Sequence, residues 1–277
     1  MTVALVTGCS TGIGRATALQ LQGAGVTTVA TARSLRTLVE LADAGCTVLE
    51  LDVTDDAARR ACVSEVTARH GGVDVLVNNA GYAEMGPVEQ VPLDAWRRQL
   101  ETNVLGPVAL SQLVLPAMRA AGRGRIVNVS SMGGEITFPG GGAYHASKYA
   151  LEALSDALRV EVRPFGVQVV LVQPGPVATS FGDNAADLGA YDEGPYGGLS
   201  RALDRAIREQ TPRGSAPEAV ARVVVRAATT RRPATRYRVG AMSRGLVLGR
   251  RVVPDRTWDA LMRSQFRDPG PAVVPGA

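Results

Sequence analysis

Six short runs rich in β-branched residues punctuate the first 172 positions: Val3–Thr7, Val26–Thr31, Thr47–Leu51, Val73–Val77, Arg125–Val129 and Val167–Val172. Stretches of helical pattern separate them. The runs are apolar rather than alternating, which predicts strands buried on both faces. Strands of that kind joined by helices build a parallel sheet covered on both sides, with right-handed crossovers. The expected fold is therefore a doubly wound α/β sheet of about seven strands, the last being Arg236–Gly240 after a helix near Pro217–Thr229. At 277 residues and 45% hydrophobic content the chain suits one domain spanning positions 1–277.

The polar and glycine-rich motifs fall at one end of these strands. Gly8 to Gly14 follows the first, Arg33 the second, Asp52 the third, Asn78 to Gly81 the fourth, Ser130 and Ser131 the fifth, and Pro174-Gly175 the sixth. In an open parallel sheet the carboxyl edge is where ligands bind, so the six placements converge on one crevice.

Thr7-Gly8-Cys9-Ser10-Thr11-Gly12-Ile13-Gly14 closes a strand and opens a helix at Arg15 to Gln22. Glycines there let backbone approach a pyrophosphate, whose charge meets free N–H groups and the positive helix end. Gly8-Cys9-Ser10-Thr11-Gly12 also matches a hydrolase nucleophile elbow in form, but at position 8 it lacks an earlier oxyanion loop.

Lys148 is the sole lysine among 30 basic residues, and it stands four after a tyrosine in Tyr144-His145-Ala146-Ser147-Lys148. A lone lysine would fall there by accident roughly 2% of the time. Residues four apart share a helix face, which places an ammonium beside a phenol. A charge about 4 Å away at an effective dielectric of about 20 is worth about 4 kcal/mol, enough to lower a tyrosine by a few pH units before desolvation opposes it. Tyr144 is thus a candidate general acid/base. His145 is expected to pack or face solvent, because adjacent helix residues point apart.

Together these motifs resemble the classical short-chain dehydrogenase/reductase family over residues 3 to 179. The resemblance rests on Thr7 to Gly14, Asp52-Val53, Asn78-Asn79-Ala80-Gly81, Thr102-Asn103-Val104, Ser131, Tyr144 with Lys148, and Pro174-Gly175 leading through Val177 to Thr179. It implies a Rossmann-type oxidoreductase. Gly8, Ser10, Thr11, Gly12, Ile13, Gly14, Asp52, Val53, Asn79, Ala80, Gly81, Pro174, Gly175, Val177 and Thr179 would bind the cofactor. Ser131 would bind the substrate carbonyl and Tyr144 donate its proton. Lys148 would tune Tyr144 and hold the nicotinamide ribose, and Asn103 would fix a water linking Lys148 to solvent. Relatives commonly pair as dimers or tetramers through the helices holding Asn103 and Tyr144.

The residue after the second strand sets phosphate preference, an acidic side chain favouring NAD and an arginine NADP. Here Thr31-Ala32-Arg33-Ser34 places alanine at the acidic position and arginine next to it, so NADP(H) is expected.

Substrate contacts are expected from a lid at 176–212, carrying Phe181, Leu188, Tyr191, Tyr196 and Leu199, and from Met132, Ile136, Phe138, Tyr82 and Met85. No arginine cluster stands out to clamp an anion. A bulky apolar ketone or aldehyde and its alcohol fit best. An extension at 241–277, with Trp258 and Phe266 as anchors, resembles hydroxysteroid and retinol dehydrogenase-like members. A 3-oxoacyl reductase acting on acyl-carrier protein, or a non-catalytic NADP sensor, is the alternative. The net charge of +4 is dispersed and suggests no nucleic-acid partner. Three cysteines without metal or redox spacing suit a reducing cytoplasm, no metal site is expected from two histidines, and no apolar run is long enough to span a membrane.

Overall fold

The computed structural model of the chain describes residues 2–178, 191 and 193–266. Its strands are β1 (Val3–Val6), β2 (Thr27–Ala32), β3 (Thr47–Glu50), β4 (Val75–Asn78), β5 (Gly124–Val129), β6 (Val167–Pro174) and β7 (Arg236–Val239). They form one sheet in the order β3-β2-β1-β4-β5-β6-β7, every pair parallel. The helices are α1 (Gly12–Gly23), α2 (Val39–Asp43), α3 (Asp56–His70), α4 (Leu93–Leu100), α5 (Gly106–Ala120), α6 (Gly142–Val162), α7 (Gly197–Gln210), α8 (Pro217–Thr229), α9 (Ala241–Val252) and α10 (Asp255–Gln265).

Why the strands are apolar on both faces is visible in β1. Ala4 and Val6 join one core with Leu21 of α1 and Val220 and Val224 of α8, while Val3 and Leu5 join another with Val66 of α3 and Leu110 and Val114 of α5. Each fully buried Val or Leu contributes about 1.5–3 kcal/mol, so a polar residue on either face of β1 would be costly.

Within the 176–212 connection, α7 buries Ser200, Ala202 and Leu203. Among the described residues of the extension, α9 and α10 place Val247, Trp258 and Met262 against Ile136. No described helix is long and apolar enough to cross a membrane.

The chain order reverses between β1 and β4, which are neighbours in the sheet. A crevice opens at such a switch point, above the carboxyl ends of both strands.

Candidate active site

Hydrogen bonds stitch the two loops at the switch point together. Thr7 Oγ1 accepts from the backbone N–H groups of Asn79 and Ala80, each at 3.0 Å. Asn79 Nδ2 donates back to the carbonyls of Thr7 at 2.9 Å and Gly8 at 3.0 Å. Gly8 and Gly12 have φ of +70° and +58°, which only glycine adopts without strain. A Cβ on Gly8 would come within 2.8 Å of Ala80 Cα, and one on Gly14 would strike the Gly8 carbonyl and Asn79 Nδ2. The first turn of α1 carries no acidic side chain to compete with an anion. This cradle, at a helix N-terminus, fits a dinucleotide pyrophosphate. Cys9 inside it is no nucleophile, since burial pushes its thiol up to about 12.

Arg33 is exposed immediately after β2 and makes no ion pair within 4.0 Å among the described residues. Asp52 lies near enough to feel it. Burial works to raise the Asp52 carboxyl, but two hydrogen bonds from Thr54 and the charges of Arg33 and Arg59 hold it below its ordinary value. Val53 is buried, with its carbonyl taken by Arg59 at 2.7 Å.

On the other side of the crevice, α6 brings Tyr144 and Lys148 to the end of β5. Ser131 hydrogen-bonds the Tyr144 phenol, and its own Oγ is held by the Gly133 N–H at 3.0 Å. Lys148 is buried, and its Nζ donates to the Val129 carbonyl at 3.0 Å while lying 5.9 Å from the Tyr144 ring centroid. The lowered tyrosine expected from spacing alone is therefore not what the structure contains. Burial drives the phenol up to about 12, opposed by the Ser131 hydroxyl, and drives the Lys148 ammonium down to about 8, opposed by Glu152. Desolvation, which spacing cannot reveal, disfavours the charged form of both groups.

Asn103 lies in a π-helical turn, Glu101–Leu105, between α4 and α5. Such turns break helical register, often at functional positions. Asn103 Nδ2 donates to the Tyr82 carbonyl and to Ser147 Oγ, both at 3.0 Å, and its Oδ1 accepts from the Tyr82 N–H at 3.2 Å. Ser147 Oγ in turn donates to the Tyr144 carbonyl at 2.7 Å. The amide thus ties the β4 loop to the first turns of α6.

Apolar walls surround Tyr144: Ala83, Met85 and Leu203 are buried, with Phe138, Tyr191 and Phe266 packed against them. His145 is buried rather than superficial. Its Nδ1 meets the Gly133 carbonyl at 2.9 Å and its ring lies perpendicular to that of Phe138, which also stacks on Phe266. The Gly140-Gly141-Gly142 run is a packing device. A Cβ on Gly140 would come within 2.5 Å of Leu203, and one on Gly141 within 2.6 Å of the His145 ring.

Pro174 ends β6, Gly175 follows, and Val177 bridges to Ser215. Thr179, Phe181 and Leu188 lie outside the described residues. Sequence reasoning missed an arginine cluster at the sheet edge, where Arg226, Arg236, Arg238 and Arg244 line one concavity. Arg236 and Arg238 are already committed there to Glu152 and Glu135, at 3.0 and 2.7 Å.

Residues 2–187 match the family described as short chain dehydrogenase. A protein named NADPH-dependent 3-dehydrocapnine reductase, from Ornithobacterium rhinotracheale, is 35% identical over 277 residues, covering 96% of this chain and 98% of the relative. One named 3-ketodihydrosphingosine reductase, from Bacteroides thetaiotaomicron, is 34% identical over 242 residues, covering 87% and 88%. A solved structure of a short-chain dehydrogenase from Streptomyces avermitilis superposes with a TM-score of 0.82 at 34% identity, covering 95% of each chain.

Proposed function

The chain belongs to the classical short-chain dehydrogenase/reductase family and is an oxidoreductase, and on that premise we propose that it uses NADP(H) to interconvert a bulky apolar ketone or aldehyde and its alcohol. The observation that carries this reading is the hydrogen-bonded Ser131–Tyr144 pair set among apolar walls and backed by a buried lysine.

The glycine cradle from Gly8 to Gly14 would hold the dinucleotide, Arg33 its ribose phosphate, and Lys148 its nicotinamide ribose. When bound, NADPH supplies the hydride. Ser131 binds the substrate oxygen by donating a hydrogen bond, and Tyr144 delivers its proton to that oxygen as negative charge develops there. A phenol near 12 is a reluctant proton donor to water but a competent one to an alkoxide, whose conjugate acid is weaker still. Lys148 stabilises the phenolate left behind. Asn103 positions the helix that carries both. Phe138, Met85, Tyr191 and Leu203 exclude water and suit apolar substrate groups. The two relatives with reductase names, one of them NADPH-dependent and one named for a keto compound, agree with this reading.

Cofactor choice tests the arginine. A charge-assisted contact from Arg33 is worth about 1.5–3 kcal/mol, so kcat/KM should favour NADPH over NADH by about tenfold to a hundredfold. Replacing Ala32 with Asp together with Arg33→Ser should reverse the preference. Equal use of both cofactors by the unaltered protein would overturn the assignment. A panel of carbonyl compounds read by NADPH absorbance tests the pocket: steroid-like, aryl and long-chain ketones should be turned over faster than pyruvate-sized acids. Fastest turnover of small keto acids would contradict it.

A further inference from the structure

Glu152 follows Lys148 by one turn of α6, is 6% exposed, and begins a run of charged contacts that leads out to β7. Its Oε2 accepts from Arg236 Nε of β7 at 3.0 Å, and Arg236 Nη2 reaches Asp156 one turn further at 2.6 Å. Glu152 Oε1 has no hydrogen-bond partner among the described residues. The loop after β5 seals it from solvent, because Gly134 packs so tightly that a Cβ there would lie 2.8 Å from Glu152 Cγ and 3.0 Å from the Lys148 carbonyl. Two roles are open to such a carboxylate. It could merely staple β7 to α6, or its charge could act on the lysine.

We infer that Glu152 and Arg236 are positioning residues that set the charge of Lys148: the carboxylate holds the ammonium protonated, and the arginine limits how much of that field arrives. The inference rests on the reading of Lys148 under Proposed function. Half of the carboxylate, Oε1, is left uncommitted by Arg236, in a dry site where charges act strongly. The titratable and charged groups around Lys148 are Tyr144 and Glu152 on its own helix, with Arg236 from β7 acting through Glu152. From β5 it meets the Val129 carbonyl. Burial presses the ammonium down to about 8 and Glu152 opposes that pressure, which keeps the lysine's titration above neutral pH.

The chain's single lysine makes a direct test possible, since lysine labelled with carbon-13 at the ε position gives one side-chain signal. Its titration should move to lower pH by about one unit in Glu152→Gln and to higher pH by a comparable amount in Arg236→Met, the scale of a unit charge about one helical turn away. Asp156→Asn loosens the same strand-to-helix tie but removes a half-buried carboxylate two turns from Lys148, and should leave the titration where it is. A structural staple would shift none of the three, or all three alike, and that result overturns the inference. Should Glu152→Gln fail to fold, Arg236→Met decides alone: an upward move supports the inference, and a null or downward move overturns it. Ketone reduction should fall as pH rises through the lysine's titration, in the same order across the variants. The lysine signal requires no turnover. Titrations that move as expected while rates do not follow uphold the electrostatic inference and overturn the role given to Lys148 in the reaction.

Discussion

Tyr144→Phe should lower ketone reduction by about 10²-fold or more while folding and NADPH binding persist, because the change removes one oxygen and its proton from the group assigned to general acid catalysis. The walls around the ring are apolar, so phenylalanine fits the same space. What is lost is the hydrogen bond with Ser131 and the proton it orients. Single-turnover rates at saturating NADPH, set beside a fluorescence titration of NADPH binding, separate the two effects. A variant that reduces ketones at near-native rate would remove Tyr144 from the mechanism. Lys148→Arg is the companion test. The ammonium sits in a buried slot with Nζ 3.0 Å from the Val129 carbonyl, and a planar fork cannot occupy that slot in the same way. Most activity should disappear despite the retained charge.

Gly14→Ala should weaken NADPH binding by on the order of 10²-fold and lower the melting temperature by several degrees. The added Cβ meets the Gly8 carbonyl and Asn79 Nδ2, neither of which is the loose end of a flexible side chain. Asn79 Nδ2 is held by two carbonyls, so relief requires moving the start of α1 or breaking the stitch between the loops. Overpacking of this kind costs about 1–3 kcal/mol in folding, and the cradle is distorted where backbone would meet phosphate. Gly23, at the other end of the same helix, has nothing within 4 Å of its added Cβ. Gly23→Ala should leave affinity unchanged and stability equal or slightly higher. Calorimetric melts and NADPH titrations of the pair check both expectations. Unaltered binding in Gly14→Ala would show that the cradle does not carry the dinucleotide.

Strands and their order along the chain were legible because burial on both faces leaves an unbroken apolar run. Val167–Val172 sits inside the observed Val167–Pro174, and the helix expected near Pro217–Thr229 ends where it should. The glycine cradle was legible for a related reason, since tight turns at a switch point restrict residue choice locally. The helix α7 was not read, because Gly194 and Pro195 precede it and Gly197 and Gly198 open it, a composition that suggested a loop, although Leu203 and Ile207 carry a helical spacing. The π turn at Asn103 left no local mark. It depends on contacts with Tyr82 and Ser147, which are 21 and 44 positions away. Spacing correctly put a lysine near Tyr144 but could not supply the desolvation that raises one group and lowers the other. The pairing of Glu152 with Arg236 spans 84 positions and joined two residues that no local pattern connects.

The hydrogen bonds between Thr7 and Asn79 also bear on how the chain acquires its structure. They close a loop of 72 residues, so the cradle cannot form until β4 has paired with β1, across a stretch of chain that holds β2 and β3. Closing so long a loop costs entropy before any contact repays it, and contacts of large sequence separation slow folding. Nucleotide affinity should therefore emerge late in refolding. Once present, the nucleotide would hold together the two halves of the sheet that were hardest to join, acting as a ligand for the completed topology rather than for any one segment.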